Sequence, residues 1–226
     1  DLTPVENIMF YASIYGVPKE QRSGRVKELI VMADLTGHQK QLTRNLSGAW
    51  RQRLALACAI VHRPSMLFLD EASTGVDPVS RRQFWDLIYS LAGEGVSVLA
   101  TTHYMDEAEY CNTIGMMYQG KMVALASPER LKNDLPGTLV QIDCPQPGEV
   151  LRLLQDQPGV LGASIHGALL HVNLEKPSLE PKMKKVLANE GVRVNSWEVI
   201  QPSLEDVFLS MVSEQLSGNP FHENEN

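Results

Sequence analysis

Two adjacent carboxylates, Asp70 and Glu71, close the apolar run Met66-Leu67-Phe68-Leu69. Acids at the carboxyl end of a buried parallel strand sit where open α/β sheets bind ligands. One can hold Mg²⁺, directly or through water, and the other can orient or deprotonate an attacking water. Taken alone, the pair is equally a solvated strand end. Ser47-Gly48 opens a helical stretch. Such a turn points unpaired N–H groups and a hydroxyl outward, which suits a phosphate, although a plain serine N-cap has the same sequence. His103 follows a second apolar run and stands where it can sense or stabilise charge near neutral pH. By itself it reads as a loop histidine. Asp77 precedes Pro78 and is first of all a helix cap.

The elements that position these residues follow from periodicity and punctuation. Thr3-Pro4-Val5-Glu6 is a capping box with proline at the first helical position, and Val5, Ile8, Met9 and Ala12 share one face. Gly16 ends that helix. Pro18 starts a second, with Val26, Leu29, Ile30 and Ala33 at helical spacing. Arg51 to Val61 is rich in Ala and Leu and stops before Pro64. The run 66–69 predicts a parallel strand covered on both faces. A helix from Pro78 follows, with Phe84, Leu87, Ile88 and Leu91 inward, and then a strand over 96–101. This strand–helix–strand alternation is that of an α/β sheet. Residues 113–118 and 121–126 predict a hairpin around Gln119-Gly120. Beyond Pro136-Gly137 the pattern becomes strand 138–144, helix 147–155, strands 160–166 and 168–174, helix 178–190, strand 192–200 and a helix from Pro202. That order, βαββαβ, predicts a ferredoxin-like split βαβ unit. A domain boundary is expected near 134–137, and the polar residues 214–226 read as a disordered tail.

Composition narrows the function class. The 226 residues are 43% hydrophobic and 21% charged, as in globular domains, and the net charge is −7. An acidic balance argues against a nucleic-acid binder. No apolar run reaches the length of a bilayer span. Cys58, Cys111 and Cys144 are dispersed and outside any CxxC pattern, so they read as buried thiols. His103 stands in His-Tyr-Met-Asp-Glu rather than HExxH, which gives a zinc site no support.

Taken in order, Leu46-Ser47-Gly48-Ala49-Trp50, Arg51-Gln52-Arg53, the strand ending in Asp70-Glu71, Thr74-Gly75-Val76-Asp77-Pro78 and Thr102-His103 resemble the ATP-binding cassette (ABC) ATPase domain across roughly residues 2–130. The resemblance implies roles. Asp70 corresponds to the acid that ends the Walker B strand and helps hold Mg²⁺. Glu71 corresponds to the general base or water-positioning carboxylate, and His103 to the switch histidine at the γ-phosphate. Ser47, Gly48 and Ala49 stand in the signature loop that closes over ATP on an opposing subunit. Asp77 stands in the loop that crosses the dimer interface. The sequence from Gln201 to Leu209, QPSLEDVFL, resembles the ending of cassettes that serve ABC-2-type exporters, which carry a small C-terminal domain. Asp206-Val207-Phe208 within it reads as the core face of a terminal helix.

Departures are visible. The only Gly-Lys pair, Gly120-Lys121, lies in the hairpin and is not a P-loop. With Asp1 opening the chain mid-domain, an N-terminal truncation is the expected reason. Ala49 replaces a signature glycine, where a Cβ would crowd a phosphate or forbid a left-handed backbone. Trp50 stands where glutamine is commoner. Ala72-Ser73 replaces Pro-Thr, which loosens the turn after Glu71.

The fold class expected is therefore α/β: an incomplete P-loop NTPase core with a helical subdomain, plus a small α+β, ferredoxin-like C-terminal domain. The divisions expected are 1–134, with the helical subdomain over 1–60 and the Walker B part over 61–134, and then 138–213. The resemblance implies ATP and Mg²⁺ as cofactors. It also implies a membrane permease and a second ATPase domain as partners, no nucleic acid, and a peripheral place on the cytoplasmic face of a membrane. Two other readings stay open: a soluble ABC ATPase, and a non-catalytic partner that lends only its signature loop.

Overall fold

The computed structural model describes residues 1–216, in two compact units, one over 1–110 and one from Cys111 onward. The first begins with α1 (Pro4–Ile14) and α2 (Lys19–Met32). Thr3 and Glu6 form both halves of the expected capping box at α1. Gly16 takes φ +72°, the left-handed geometry that lets the chain turn between the two helices. Ile8, Ala12, Val26, Leu29 and Ile30 are buried, as their helical spacing requires.

A loop containing a short 3₁₀ turn at Thr43–Asn45 leads to α3 (Gly48–Ala59). This helix starts three residues earlier than its Ala/Leu content suggests, because Ser47 caps it. The Arg25 guanidinium donates to the carbonyls of Ile60 and Val61 at 2.7 and 3.1 Å. It thus satisfies groups that the end of α3 leaves unpaired.

β1 (Met66–Asp70) and β2 (Ser97–Thr101) pair in parallel, with Asp70 opposite Thr101, and α4 (Pro78–Gly93) is the crossover between them. The expectation of a strand covered on both faces is not met. Leu67 is buried, whereas Met66, Phe68 and, on β2, Leu99 are exposed. Among the described residues the sheet has these two strands, and helix packing covers one face only. The short α5 (Met105–Ala108) follows β2. Trp85, on the buried face of α4 with Phe84, Ile88 and Leu91, stacks on Tyr110 at 5.8 Å.

The second unit opens with the hairpin of β3 (Ile114–Tyr118) and β4 (Lys121–Ala126), then α6 (Pro128–Asn133). β5 (Thr138–Asp143), α7 (Pro147–Leu154), β6 (Val160–His166), β7 (Leu169–Leu174), α8 (Glu180–Asn189), β8 (Ser196–Val199) and α9 (Leu204–Leu216) follow. The sheet order is β6-β7-β5-β8, antiparallel throughout. One antiparallel strand separates the two strands of each βαβ unit, β7 between β5 and β6 and β5 between β7 and β8, which is the ferredoxin-like topology. Three details differ from the expectation. A 3₁₀ turn occupies 177–179 ahead of α8, β8 is limited to 196–199, and α9 extends through residue 216. The remainder of the expected tail, 217–226, lies outside the described residues.

Strand alternation divides the side chains of this sheet. Val140, Ile142, Leu170, Val172 and Leu174 face α7 and α8, where they pack with Val150, Leu154, Met183 and Leu187, all buried. The opposite face carries Gln141, His171 and Asn173, and α9 brings Leu204, Val207 and Met211 into its own buried layer. Truncating Leu170 to Ala in the fully buried layer is expected to cost about 2–5 kcal/mol. Hydrogen exchange of the β5 and β7 amides in the whole chain measures that loss.

The thiols follow expectation at Cys58 and Cys144, which are buried, but Cys111 is half-exposed. Burial pushes the Cys58 thiol up to about 12. No described helix is long and apolar enough to cross a membrane.

Candidate functional site: a strand-end carboxylate pair and a two-loop cleft

Asp70 and Glu71 leave β1 beside the end of β2. Thr101 Oγ1 donates to Asp70 Oδ1 at 2.5 Å, and the same hydroxyl accepts from Glu71 N–H at 3.1 Å. Thr101 therefore fixes both acids at one point. Glu71 has φ +45°, a strained backbone for a non-glycine residue, and its side chain is 55% exposed. Its Oε2 accepts from Thr74 Oγ1 at 3.2 Å and lies 3.6 Å from His103 Nδ1. The structure thus brings together three of the residues selected from sequence. The carboxylates of Asp70 and Glu71 both stay solvent-facing.

The turn after Glu71 is not loosened by the lack of proline. Thr74 N–H donates to Glu71 O at 3.0 Å and Val76 N–H to Ser73 O at 3.2 Å. Ser73 is buried, and its hydroxyl donates to Glu107, whose other oxygen accepts from the Thr102 hydroxyl. Arg81 Nε on α4 stands 3.7 Å from Glu107. The guanidinium also pairs with Asp106 at 3.0 Å and lies over the Tyr104 ring at 4.1 Å. Glu107, only 2% exposed, thus binds the segments after β1 and β2 to α4. Sequence reading passed over Glu107 and Arg81. The signal available was an acid one helical turn beyond His103, and nothing local marks it as buried.

A second group forms a cleft of about 310 Å³, lined by Ser47, Gly48, Ala49, Trp50 and Arg53 from the start of α3 and by Gly75, Val76 and Asp77 from the loop before α4. Ser47 Oγ accepts from Trp50 N–H at 3.4 Å, and Asp77 Oδ1 accepts from Ser80 N–H at 3.0 Å. Each residue is therefore a helix cap and a cleft wall at once. The Ser80 amide holds the Asp77 carboxyl below the usual carboxylate range. This cap supports α4 at neutral pH and is lost as pH falls through that lowered value.

Neither Gly48 nor Ala49 has a positive φ: both lie in the first turn of α3. The concern that Ala49 forbids a left-handed backbone is thereby removed. Trp50 is more than a tolerated substitution. Its ring sits 4.5 Å from the His38 ring and 5.0 Å from the Arg53 guanidinium, and Arg53 continues to Gln83 on α4 at 2.6 Å. Trp50 and Arg53 together tie the start of α3 to α4.

Known proteins resemble this chain in both of its units. A family model described as ABC transporter matches residues 1–74. One described as ATP-binding protein DrrA1-3-like, C-terminal domain, matches residues 127–212. The chain is 42% identical over 132 residues to the probable multidrug ABC transporter ATP-binding protein YbhF of Escherichia coli. That match covers 58% of the chain and 23% of YbhF, so the chain spans under a quarter of that relative. It is 30% identical over 221 residues to the Nod factor export ATP-binding protein I of Cupriavidus metallidurans, covering 96% of the chain and 70% of that relative. Among solved structures, CbiO1 of Clostridium perfringens, part of the ABC transporter complex CbiONQ, is similar with a TM-score of 0.54 at 22% identity. The similarity covers 59% of this chain and 54% of that one, and it supports the fold.

Proposed function

The chain belongs to the ATP-binding proteins of ABC transporters, and from that membership we propose that it is the nucleotide-driven subunit of an ABC-2-type exporter, coupling ATP hydrolysis to transport through a membrane permease. The observation that carries this reading is the single cleft shared by the Ser47–Trp50 turn and the Gly75–Asp77 loop. In this family these are the segments that meet nucleotide held by an opposing domain, and here they form one wall.

The residues present fit MgATP. Asp70, Glu71, Thr74 and Thr101 offer only oxygen donors, which suits Mg²⁺, and the N-terminus of α3 offers amide N–H groups to a phosphate. MgATP, when bound, supplies the phosphoryl group to be transferred and the cation that neutralises its charge. With MgATP bound, Asp70 would hold the cation, Glu71 would orient the attacking water and take its proton, and His103 would face the terminal phosphate. Ser47, Gly48 and Ala49 close over the nucleotide of a second ATPase domain, and Asp77 stands at the joint. Catalysis on this reading is positioning and electrostatic stabilisation.

The exposed Phe10 and Ile14 of α1, with Tyr15 at its C-cap, give the helical segment an apolar surface for the permease, on the cytoplasmic face of the membrane. On this reading residues 1–134 serve the nucleotide and 138–213 form an accessory module, while the compact units divide between Tyr110 and Cys111. YbhF and the Nod factor protein are named for multidrug transport and Nod factor export, and the second name favours outward transport for this reading.

The test is Gly48→Asp in the full-length subunit assembled with its permease. A Cβ at Gly48 meets only Gly75 O, at 3.8 Å, so the variant is accommodated without refolding. Its carboxylate enters the cleft and repels phosphate. ATP turnover is expected to fall at least about tenfold, the equivalent of ~1.4 kcal/mol, while ATP binding measured without turnover is retained. Unchanged turnover would overturn the reading.

A further inference from the structure

The accessory module contains a cluster that nucleotide chemistry does not use. His166 ends β6, His171 lies on β7, and Asp206 lies in the first turn of α9. One ligand atom from each falls within 4.8 Å of the other two. Asp206 Oδ1 is 2.8 Å from His171 Nδ1 and 3.2 Å from His166 Nε2. All three side chains are largely removed from water, at 16%, 10% and 3% exposure. We propose that His166, His171 and Asp206 form a binding site for a divalent transition-metal ion of the zinc class.

The outer partners argue for it. The other nitrogen of each ring also faces an acceptor. His171 Nε2 is 3.3 Å from Gln141 Oε1, and His166 Nδ1 is 3.8 Å from Glu205 Oε2. A neutral imidazole carries one N–H. With that proton on the outer nitrogen of each ring, both inner nitrogens turn lone pairs toward one buried carboxylate oxygen. In that tautomer a bound cation takes the place of the hydrogen that His171 Nδ1 otherwise shares with Asp206 Oδ1, and it competes with the Ser164 hydroxyl, 3.1 Å from His166 Nε2. An outer acceptor such as Gln141 on His171 Nε2 is the kind of second contact that orients metal-binding histidines. Two imidazoles and a carboxylate are also a donor set that suits zinc and its neighbours.

Asp206 is already held for the task. Burial opposes its charged form, but Ser203 donates to Oδ2 from both N–H and Oγ, at 2.8 and 2.6 Å. The Ser203 bonds take Oδ2 and leave Oδ1 facing the two rings. A cavity of about 40 Å³, lined by His171, Asp206, Asn173 and Ser164 among others, adjoins two of the ligands. It has room for about one water, which could complete the ligand set of a bound ion. Asn173 Oδ1 in that lining is buried and has no partner among the described residues. The two rings stack at 4.0 Å with an interplanar angle of 16°. A ring nitrogen binds a metal in its own plane, so binding turns the more exposed His166 ring out of the stack. The ion would then join the β6–β7 hairpin to α9.

The reading of Asp206 as part of a plain core face is thereby revised. The signal was hard to find in sequence, because the ligands are spread over 41 positions and the two histidines lie on different strands, either side of a turn.

The test titrates the untagged full chain with Co²⁺ and with Zn²⁺. One equivalent of saturable binding is expected, with a visible ligand-field spectrum for cobalt. His166→Gln, at the more exposed ligand, and Asp206→Asn, which keeps an oxygen for the α9 cap, are each expected to lower affinity at least about 100-fold at unchanged helix content. No saturable binding, or binding of equal affinity in a His166→Gln, His171→Gln double variant, overturns the proposal.

Discussion

Replacing Glu71 by Gln is expected to lower ATP turnover by about 10²–10⁴-fold in the subunit assembled with its permease, with nucleotide binding retained. The argument rests on what glutamine keeps and what it loses. Its amide oxygen still accepts from Thr74 Oγ1, which now lies 3.2 Å from Glu71 Oε2, and the strained backbone at φ +45° is unaffected. Thr101 continues to hold the neighbouring Asp70 through its hydroxyl. The half-exposed side chain makes no buried contact whose loss would unfold the strand end. What disappears is the capacity to accept a proton from water and the negative charge facing His103. Phosphate release measured against ATP binding separates the two effects. Turnover equal to that of the parent would return Glu71 to the status of a solvated strand end and remove the catalytic role proposed for the pair.

The same strand end shows how far the sequence is legible. Asp70 and Glu71 could be placed because an apolar run fixes a strand, and a strand fixes where its last residues emerge. Ser47 and Asp77 could be placed as caps for the same local reason, and both caps are present. The ferredoxin-like order followed from element types alone, and pairing of β5 with β7 and β8 completes it. Local rules gave less where the deciding contact is distant. The run Met66–Leu69 has the composition of a strand buried on two faces, yet Phe68 and Leu99 are exposed, since composition does not reveal which neighbours a strand has. The contacts of Trp50 escape a local reading because His38 comes from the loop before α3 and Gln83, reached through Arg53, from α4. The start of β8 was misjudged for a related reason. Val192 and Val194 are apolar and pack against the core, but the ladder to β5 begins at Ser196.

Glu107 is the residue whose removal is expected to damage the first unit most. Its carboxylate is 2% exposed and accepts hydroxyl protons from Ser73 and Thr102, while Arg81 approaches to 3.7 Å. Glu107→Ala leaves two hydroxyls and a largely buried guanidinium without their common partner. Breaking a buried pair from one side costs about 3–5 kcal/mol, because the remaining charge stays desolvated. Arg81 retains Asp106 at 3.0 Å and the Tyr104 ring at 4.1 Å, which offsets part of that cost. Glu107→Gln is expected to cost less, since one amide oxygen can still accept, although the NH₂ group meets a hydroxyl donor. The order Ala worse than Gln, read from urea unfolding of the whole chain, distinguishes the polar network from simple packing. The consequence reaches the site through the chain itself. Ser73 lies two residues after Glu71, and Thr102 immediately precedes His103, so loosening both anchors lets the 3.6 Å approach of Glu71 to His103 drift. Turnover is therefore expected to fall in Glu107→Ala even at temperatures where the variant remains folded. Stability within about 1 kcal/mol of the parent, with turnover intact, would show that Glu107 anchors nothing.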